Sequence, residues 1–416
     1  MISYEEALAR IYSCCYPMTK KRLGLEKVNG YVLASDTAAR VDYPPFDQSA
    51  VDGFGINLTG IDNAVHRQKD SFAVVRTVFA GDVPGAPVEI GQAVKIMTGA
   101  SVPEGVDTVV MKEFCQEDAG GVIVKKALEP GANIRKRAEE FCAGGRVLTE
   151  GTRITPPVVG LLATLGHVSL EVFDKPVVSV VLTGNELVAP GTELGEGQIY
   201  DSNSYMLTAA LSGMGIDQYR VSRVRDNRED IKQSLATAMD ESDVLLTVGG
   251  ISVGDRDVIR DVLSELGVEK QFWKVAIKPG KPIYFGRYAN DAFQGFTGSN
   301  SSLVFGLPGN PVAALLGFNQ FVRPALQRMM GEKNDSSFTV PARLTVEMRK
   351  KPEREQWVRG LLNVVGGQLI VSPTQGQQSH MLGGLAQANC LIILPAGQSV
   401  FQEGDDVLVK HLKWDR

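Results

Sequence analysis

Residues 243–257, DVLLTVGGISVGDRD, restrict the possible folds of this chain more than any other stretch. Val244, Leu245, Leu246 and Val248 are apolar on both faces of a strand, a pattern that requires cover from both sides. Gly249 and Gly250 end the run without a Cβ, and Ser252, Gly254, Asp255 and Asp257 lead into Val258, Ile259, Val262, Leu263 and Leu266 at helical spacing. The order is strand, glycine turn, helix. At the carboxyl end of a parallel strand such a turn directs N–H groups and a helix N-terminus at one point, which suits a phosphate. Paired glycines also serve as a plain structural turn, so the surrounding segments must discriminate.

Around this stretch, from Lys175-Pro176 onward, strands alternate with helices. The run VVSVVLTGNEL reads as a buried strand ending at Thr183, Gly184, Asn185 and Glu186, followed by a helix over 202–214. YRVSRV is a strand closed by Asp226, whose carboxylate is expected to cap a helix over 228–239. FWKVAIKPGKPIYFG reads as a strand pair, SLVFGLPG as a strand, and 311–329 as a helix. The pattern predicts a doubly wound α/β domain with a mainly parallel sheet over 173–331. Its strand ends carry Glu186, Asp226, Gly249, Gly250, Asp257, Lys278, Lys281 and the LPGNP turn. Acids, glycines and lysines converging on one rim point to a phosphorylated or nucleotide-like ligand.

A length of 416 residues calls for several domains. Pro44-Pro45 marks a boundary, and short alternating runs between 47 and 141 predict a β domain. Within it, FDQSAVDGFGI sets Asp47, Ser49 and Asp52 beside Gly53, a pattern open to either an Asp-Gly turn or a metal-holding pair of acids. IMTGASVPEG places Thr98 and Ser101 about Gly99, which suits an oxyanion or a simple hydroxyl-capped turn. An amphipathic N-terminal helix carries Ala7, Leu8 and Ile11, and a second apolar helix opens at Pro156-Pro157. Segments 1–46 and 142–172 are therefore expected to form one elongated domain from two pieces of chain. Residues 332–416 read as a small C-terminal β domain.

Composition excludes several function classes. A net charge of -5 argues against a broad nucleic-acid surface. Five cysteines without a C-x-x-C pair fit reduced thiols, and four scattered histidines lack zinc-hydrolase spacing, so any metal is expected to take oxygen ligands. No signal-type segment and no run of membrane-spanning length is present, which predicts no membrane association and a cytoplasmic protein.

The motifs FDQSAVDGFGI, IMTGASVPEG, TGNEL, IYDSNS, GGISVGDRD, IKPGKP and LPGNPVAA, in this order, resemble the molybdopterin molybdenumtransferase family and its gephyrin-like relatives over essentially the whole chain. The resemblance implies four domains and a homodimer whose cleft lies between the α/β domain of one subunit and the β domain of the other. It implies an enzyme that takes adenylylated molybdopterin and molybdate as substrates, releases AMP with Mg2+, and makes transient contact with molybdopterin adenylyltransferase. Residue by residue it assigns Asp52, Thr98, Glu186, Asp226 and Asp257 to the active cleft, with Glu186, Asp226 and Asp257 on the metal. Gly249, Gly250, Ser252, Gly254, Lys278, Lys281, Pro308 and Pro311 fall on the phosphate, pterin and anion side, with Arg354, Ser379 and Arg359 as secondary candidates.

The sequence departs from that pattern at Ala138-Glu139-Glu140, at Asn185 in place of an acid, at Ala313 in place of serine and at Gln377-Gln378-Ser379. Two other readings are a molybdopterin adenylyltransferase, which normally consists of the α/β domain alone, and a non-catalytic scaffold. The retained acids at Asp52, Glu186, Asp226 and Asp257 count against the scaffold.

Overall fold

The computed structural model describes residues 1–58, 71–118, 121–126, 129–251, 258–289, 301–333 and 339–412. Ser252, Gly254, Asp255 and Asp257 lie outside the described residues. Val244–Val248 is the third strand of a six-stranded sheet, in the spatial order Tyr219–Val224, Val178–Thr183, Val244–Val248, Ser301–Leu307, Tyr284–Ala289, Glu269–Trp273. The first four run parallel, Tyr284–Ala289 runs against them, and Glu269–Trp273, antiparallel to that strand, runs in the direction of the first four. Every residue of Val244–Val248 is buried because both faces are covered. Leu245 and Val181 pack against Ile231, Leu235, Ile259 and Leu263 of the helices Arg228–Asp240 and Ile259–Glu265. Val244, Leu246 and Val248 face the opposite cluster with Leu207, Leu211, Leu316 and Phe321, from the helix Asn203–Gly213 and the helical run over 311–329. That run is α over Pro311–Gly317, widens to π over Phe318–Val322, and returns to α over Arg323–Met329.

Three further units surround this sheet. Gly53–Ile56 lies between Gln92–Ile96 and Thr108–Met111 in a second six-stranded sheet. A Cβ on Gly53 would sit 1.9 Å from the Val110 carbonyl oxygen, so glycine is required there by sheet contact and not by a turn. Lys20–Gly24 pairs with Ser169–Phe173, and Thr37–Ala38 with Arg146–Leu148, so the two chain pieces on either side of the β unit meet. The first helix, Tyr4–Cys14, does not join them: Ala7 and Ile11 pack into the α/β core with Phe321 and Ala325.

The third six-stranded sheet is C-terminal and has a short helix, Leu382–Gln387, inserted in it, so this unit is not purely β as its sequence suggests. Its edge strand comes from elsewhere in the chain. Ile277–Lys278 pairs in parallel with Glu355 and Gln356, and this pairing binds the C-terminal sheet to the α/β unit.

Candidate functional site

The carboxyl ends of Val178–Thr183, Val244–Val248 and Ser301–Leu307 open into a cavity of about 640 Å³. Its wall includes Gly184, Glu186, Asp226, Gly249, Gly250, Pro308 and Pro311, so seven of the residues singled out in the sequence or adjoining them share one space. Three local features keep it open. Gly184, Gly249 and Gly250 have φ of 149°, 90° and 60°, and a Cβ on Gly250 would stand 2.6 Å from Ile259. The 307–310 turn comes close enough that a Cβ on Gly309 would lie 3.7 Å from the Gly249 Cα. The Gly249 N–H donates to the Leu307 carbonyl at 3.1 Å, so this amide ties two strand ends together, a structural use in place of the ligand contact expected of it.

Glu186 and Asp226 are exposed carboxylates on the rim. The Asn185 N–H donates to Asp226 at 3.4 Å, and the Asp226 N–H donates to the Asn185 side-chain oxygen at 3.2 Å, so an uncharged Asn185 orients the neighbouring acid without adding a like charge. Asp226 does not cap the helix that follows. Asn227 does so, accepting from the N–H groups of Glu229 and Asp230. Among the described residues no cluster of three acids, cysteines or histidines is placed to hold a metal. The two rim carboxylates are hard oxygen donors of the kind Mg2+ takes, and Mg2+ keeps water ligands and needs few from protein. Asp257, the third expected ligand, lies outside the described residues.

Asp201 sits behind the part of the wall formed by Tyr200, Ser202 and Asn203. It is 1 % exposed and accepts from the Ser204 N–H at 2.9 Å and from Arg223 Nε at 2.8 Å. Burial alone would push its carboxyl up, but the bonds from Ser204 and Arg223 outweigh burial and hold it below the usual range. Asn203 Nδ2 then donates to the Gly309 carbonyl at 2.8 Å, which links this helix start to the 307–310 turn.

A second cavity, of about 680 Å³, adjoins the first and shares Pro282, Pro308, Asn310 and His380 with it. Lys278, Lys281, Arg354 and Ser379 line it, which places the lysines and two of the three secondary candidates together. Both lysines are exposed and close on either side of Pro279-Gly280. Three cations and one hydroxyl on one wall are groups whose chemistry suits an oxyanion. Ala313 lines this cavity and contributes no donor.

Arg359 is not part of that wall. It is 2 % exposed, and its guanidinium donates to the carbonyls of Gly376, Gln378 and Met381. Burial lowers its pKa. Gln377 completes the arrangement, accepting from the Arg359 N–H at 3.1 Å and donating to the Thr374 carbonyl at 2.7 Å. Arg359 therefore holds the turn that carries Ser379 and His380, and the turn in its own right meets the α/β unit through Val312 N–H donating to the Ser379 carbonyl at 3.2 Å.

Asp52 and Thr98 form a separate pair that lines neither cavity of the same chain. The Thr98 N–H and hydroxyl donate to one Asp52 oxygen at 2.9 and 2.8 Å. The Thr98 amide, then its hydroxyl and the nearby Lys112 charge, hold the Asp52 carboxyl below the usual carboxylate range.

Sequence reasoning missed His380, which borders both cavities, because an isolated histidine without metal-ligand spacing carries no local signal of a site. It also missed Asn203, Asn310 and Tyr200 on the wall of the first cavity. The IYDSNS and LPGNP motifs contain all three residues and were the available signal.

The family pattern "MoeA N-terminal region (domain I and II)" matches residues 2–166, "Probable molybdopterin binding domain" matches 179–328, and "MoeA C-terminal region (domain IV)" matches 341–412. Molybdopterin molybdenumtransferase from Bacillus subtilis (strain 168) is 34% identical over 412 residues, covering 98% of this chain and 93% of that protein. The protein of the same name from Haemophilus influenzae is 32% identical over 95% of this chain and 94% of its own length. The crystal structure of the molybdopterin biosynthesis moeA protein from Pyrococcus horikoshii OT3 superposes with a TM-score of 0.82 at 28% identity, covering 99% of this chain and 100% of that one.

Proposed function

The chain belongs to the molybdopterin molybdenumtransferase family, and from that premise we propose how its cleft transfers molybdenum to molybdopterin in molybdenum cofactor biosynthesis. One observation carries the reading: the cavity at the glycine turn, with carboxylates on its rim, adjoins a cavity lined by Lys278, Lys281 and Arg354. The adenylate phosphate of adenylylated molybdopterin sits at the 249–250 turn, and molybdate sits among the three cations. A metal ion bound by Glu186 and Asp226 supplies Lewis-acid polarisation of the phosphate when present.

In this reading the protein's own residues bind and orient. Lys278, Lys281 and Arg354 gather a divalent oxyanion and keep it beside the end of the pterin ligand where it is to be bonded. Asn185 holds Asp226, Asn203 holds the 307–310 turn, and Arg359 holds the 376–381 turn, so the first contacts are fixed before the ligand arrives. Asp52, oriented by Thr98, reaches the cleft of a second subunit, which makes the working form a homodimer. The reaction proceeds in the cytoplasm, with adenylylated molybdopterin passed on in a transient contact by the adenylyltransferase that makes it. Among the described residues no helix is long and apolar enough to cross a membrane.

Incubation with adenylylated molybdopterin and molybdate, followed by mass spectrometry of the pterin product and assay of AMP, tests the proposal. Molybdenum-bearing pterin and free AMP in equal amounts are expected. Neither product appearing would overturn it, and AMP without metal insertion would overturn the assignment of the second cavity.

A further inference from the structure

Trp273 ends the antiparallel edge strand Glu269–Trp273 and lines neither cavity, yet it touches both sides of the glycine turn's exit. Its indole Nε1 donates to the Ile251 carbonyl at 3.1 Å. Its ring carries two cations, the Arg260 guanidinium at 3.7 Å and the Lys274 ammonium at 3.6 Å from the ring centroid. Arg260 lies in the first turn of the helix Ile259–Glu265. One side chain thus grips both the residue that leaves the turn and the helix that follows.

The turn needs such support. With Gly249 and Gly250 both in the left-handed region, the chain there has no side chain of its own to fix its path. Its first amide is anchored on Leu307, the Ile251 side chain is buried at 1 % exposure, and the Ile251 carbonyl is a backbone group through which the exit of the turn can be held. That carbonyl goes to Trp273. The same indole keeps two positive charges behind a turn that faces an anionic ligand, where they add to the local potential.

We propose that Trp273 is a positioning residue for the glycine turn: by holding Ile251 through its N–H and Arg260 and Lys274 on its ring, it presets the turn for a phosphoryl group in the first cavity. The inference rests on the reading of that cavity as the adenylate site. It places Trp273 in an outer layer of the site, acting through Ile251 and without ligand contact.

Calorimetric titration of the full chain with AMP and MgCl2, and separately with molybdate, tests it on Trp273→Phe, which keeps a ring for the cations and removes the N–H. AMP affinity should fall about tenfold, the low end for outer-shell partners, with molybdate affinity and melting temperature unchanged. Unchanged AMP affinity, or equal loss for both ligands, would overturn the proposal, since a residue that only packs has no reason to distinguish them. If Trp273→Phe does not fold, Arg260→Gln removes one stacked cation and leaves the indole. About threefold weaker AMP binding is then expected, and unchanged binding overturns the proposal. Wild-type protein that binds molybdate and not AMP would overturn the reading of the cavity itself and the proposal with it.

Discussion

A carboxylate that accepts from both the amide and the hydroxyl of one threonine is oriented and kept ionised while still exposed, which is the state of Asp52 beside Thr98. Asp52→Asn keeps the shape and removes the charge. Turnover should fall by roughly 10²–10⁴, the span for a positioned acid or base, with little change in melting temperature. AMP release and thermal melting on the variant check this, and intact turnover with a lowered melting point would mark Asp52 as structural. For Lys278→Ala or Lys281→Ala, molybdate binding should weaken by about 1–3 kcal/mol, the worth of a charge-assisted hydrogen bond, as read by calorimetry. Asp201 makes the contrasting case, since its charge serves the fold. Its folded pKa lies below the unfolded value of about 3.9, so the unfolded chain binds more protons between the two values and stability rises with pH through that window. The contribution is complete above the unfolded pKa and is lost as pH falls through the folded one. Urea unfolding from pH 7 down to pH 3 should show a steeper acid loss for wild type than for Asp201→Asn, and parallel curves would refute the assignment.

At the scale of elements, Asn227 caps Arg228–Asp240 with two accepted N–H bonds. Asn227→Ala should therefore cost about 1 kcal/mol in urea unfolding and leave ligand binding at Glu186 and Asp226 nearly unaltered. The same helix shows what a sequence can and cannot disclose. Its existence was legible, because Ile231, Leu235 and Met239 recur at helical spacing, and so was the buried strand Val244–Val248. The choice between Asp226 and Asn227 as cap was not, since both are good caps and only backbone geometry decides. FWKVAIKPGKPIYFG reads locally as one strand pair, yet the structure splits it three ways. Glu269–Trp273 and Tyr284–Ala289 pair with each other, while Ile277–Lys278 joins the C-terminal sheet. A parallel pairing of Ile277 with Glu355, 78 positions along the chain, leaves no local periodicity to detect, and it is this pairing that carries Lys278 and Lys281 to Arg354. Arg359 was unreadable for a related reason. A charged residue in an exposed-looking motif gives no sign that its guanidinium will be buried on three main-chain carbonyls.

For the whole molecule, the decisive fact is that Asp52 and Thr98 border neither cavity of their own chain, whereas Glu186 and Asp226 border the first. If all four serve one reaction, the β unit of one subunit must face the α/β unit of another. Light scattering should then give twice the 44.9 kDa chain mass. A sharper test uses two inactive variants, Asp52→Asn and Asp226→Asn, unfolded together and refolded as a mixture. In a mixed dimer with shared clefts, one cleft combines both defects and the other combines Asp52 from one chain with Asp226 from its partner, both intact. Random pairing makes half of the dimers mixed, and half of their clefts are whole, so AMP release should return to about a quarter of the wild-type value. If each chain instead builds its own cleft, every cleft in every mixed dimer carries one defect and no activity returns. Equal refolding of each variant alone, checked by circular dichroism, separates this outcome from failure to refold. A mixture that stays inactive while an affinity tag on one variant co-purifies the other would place Asp52 and Asp226 of each cleft in one chain and overturn the shared cleft.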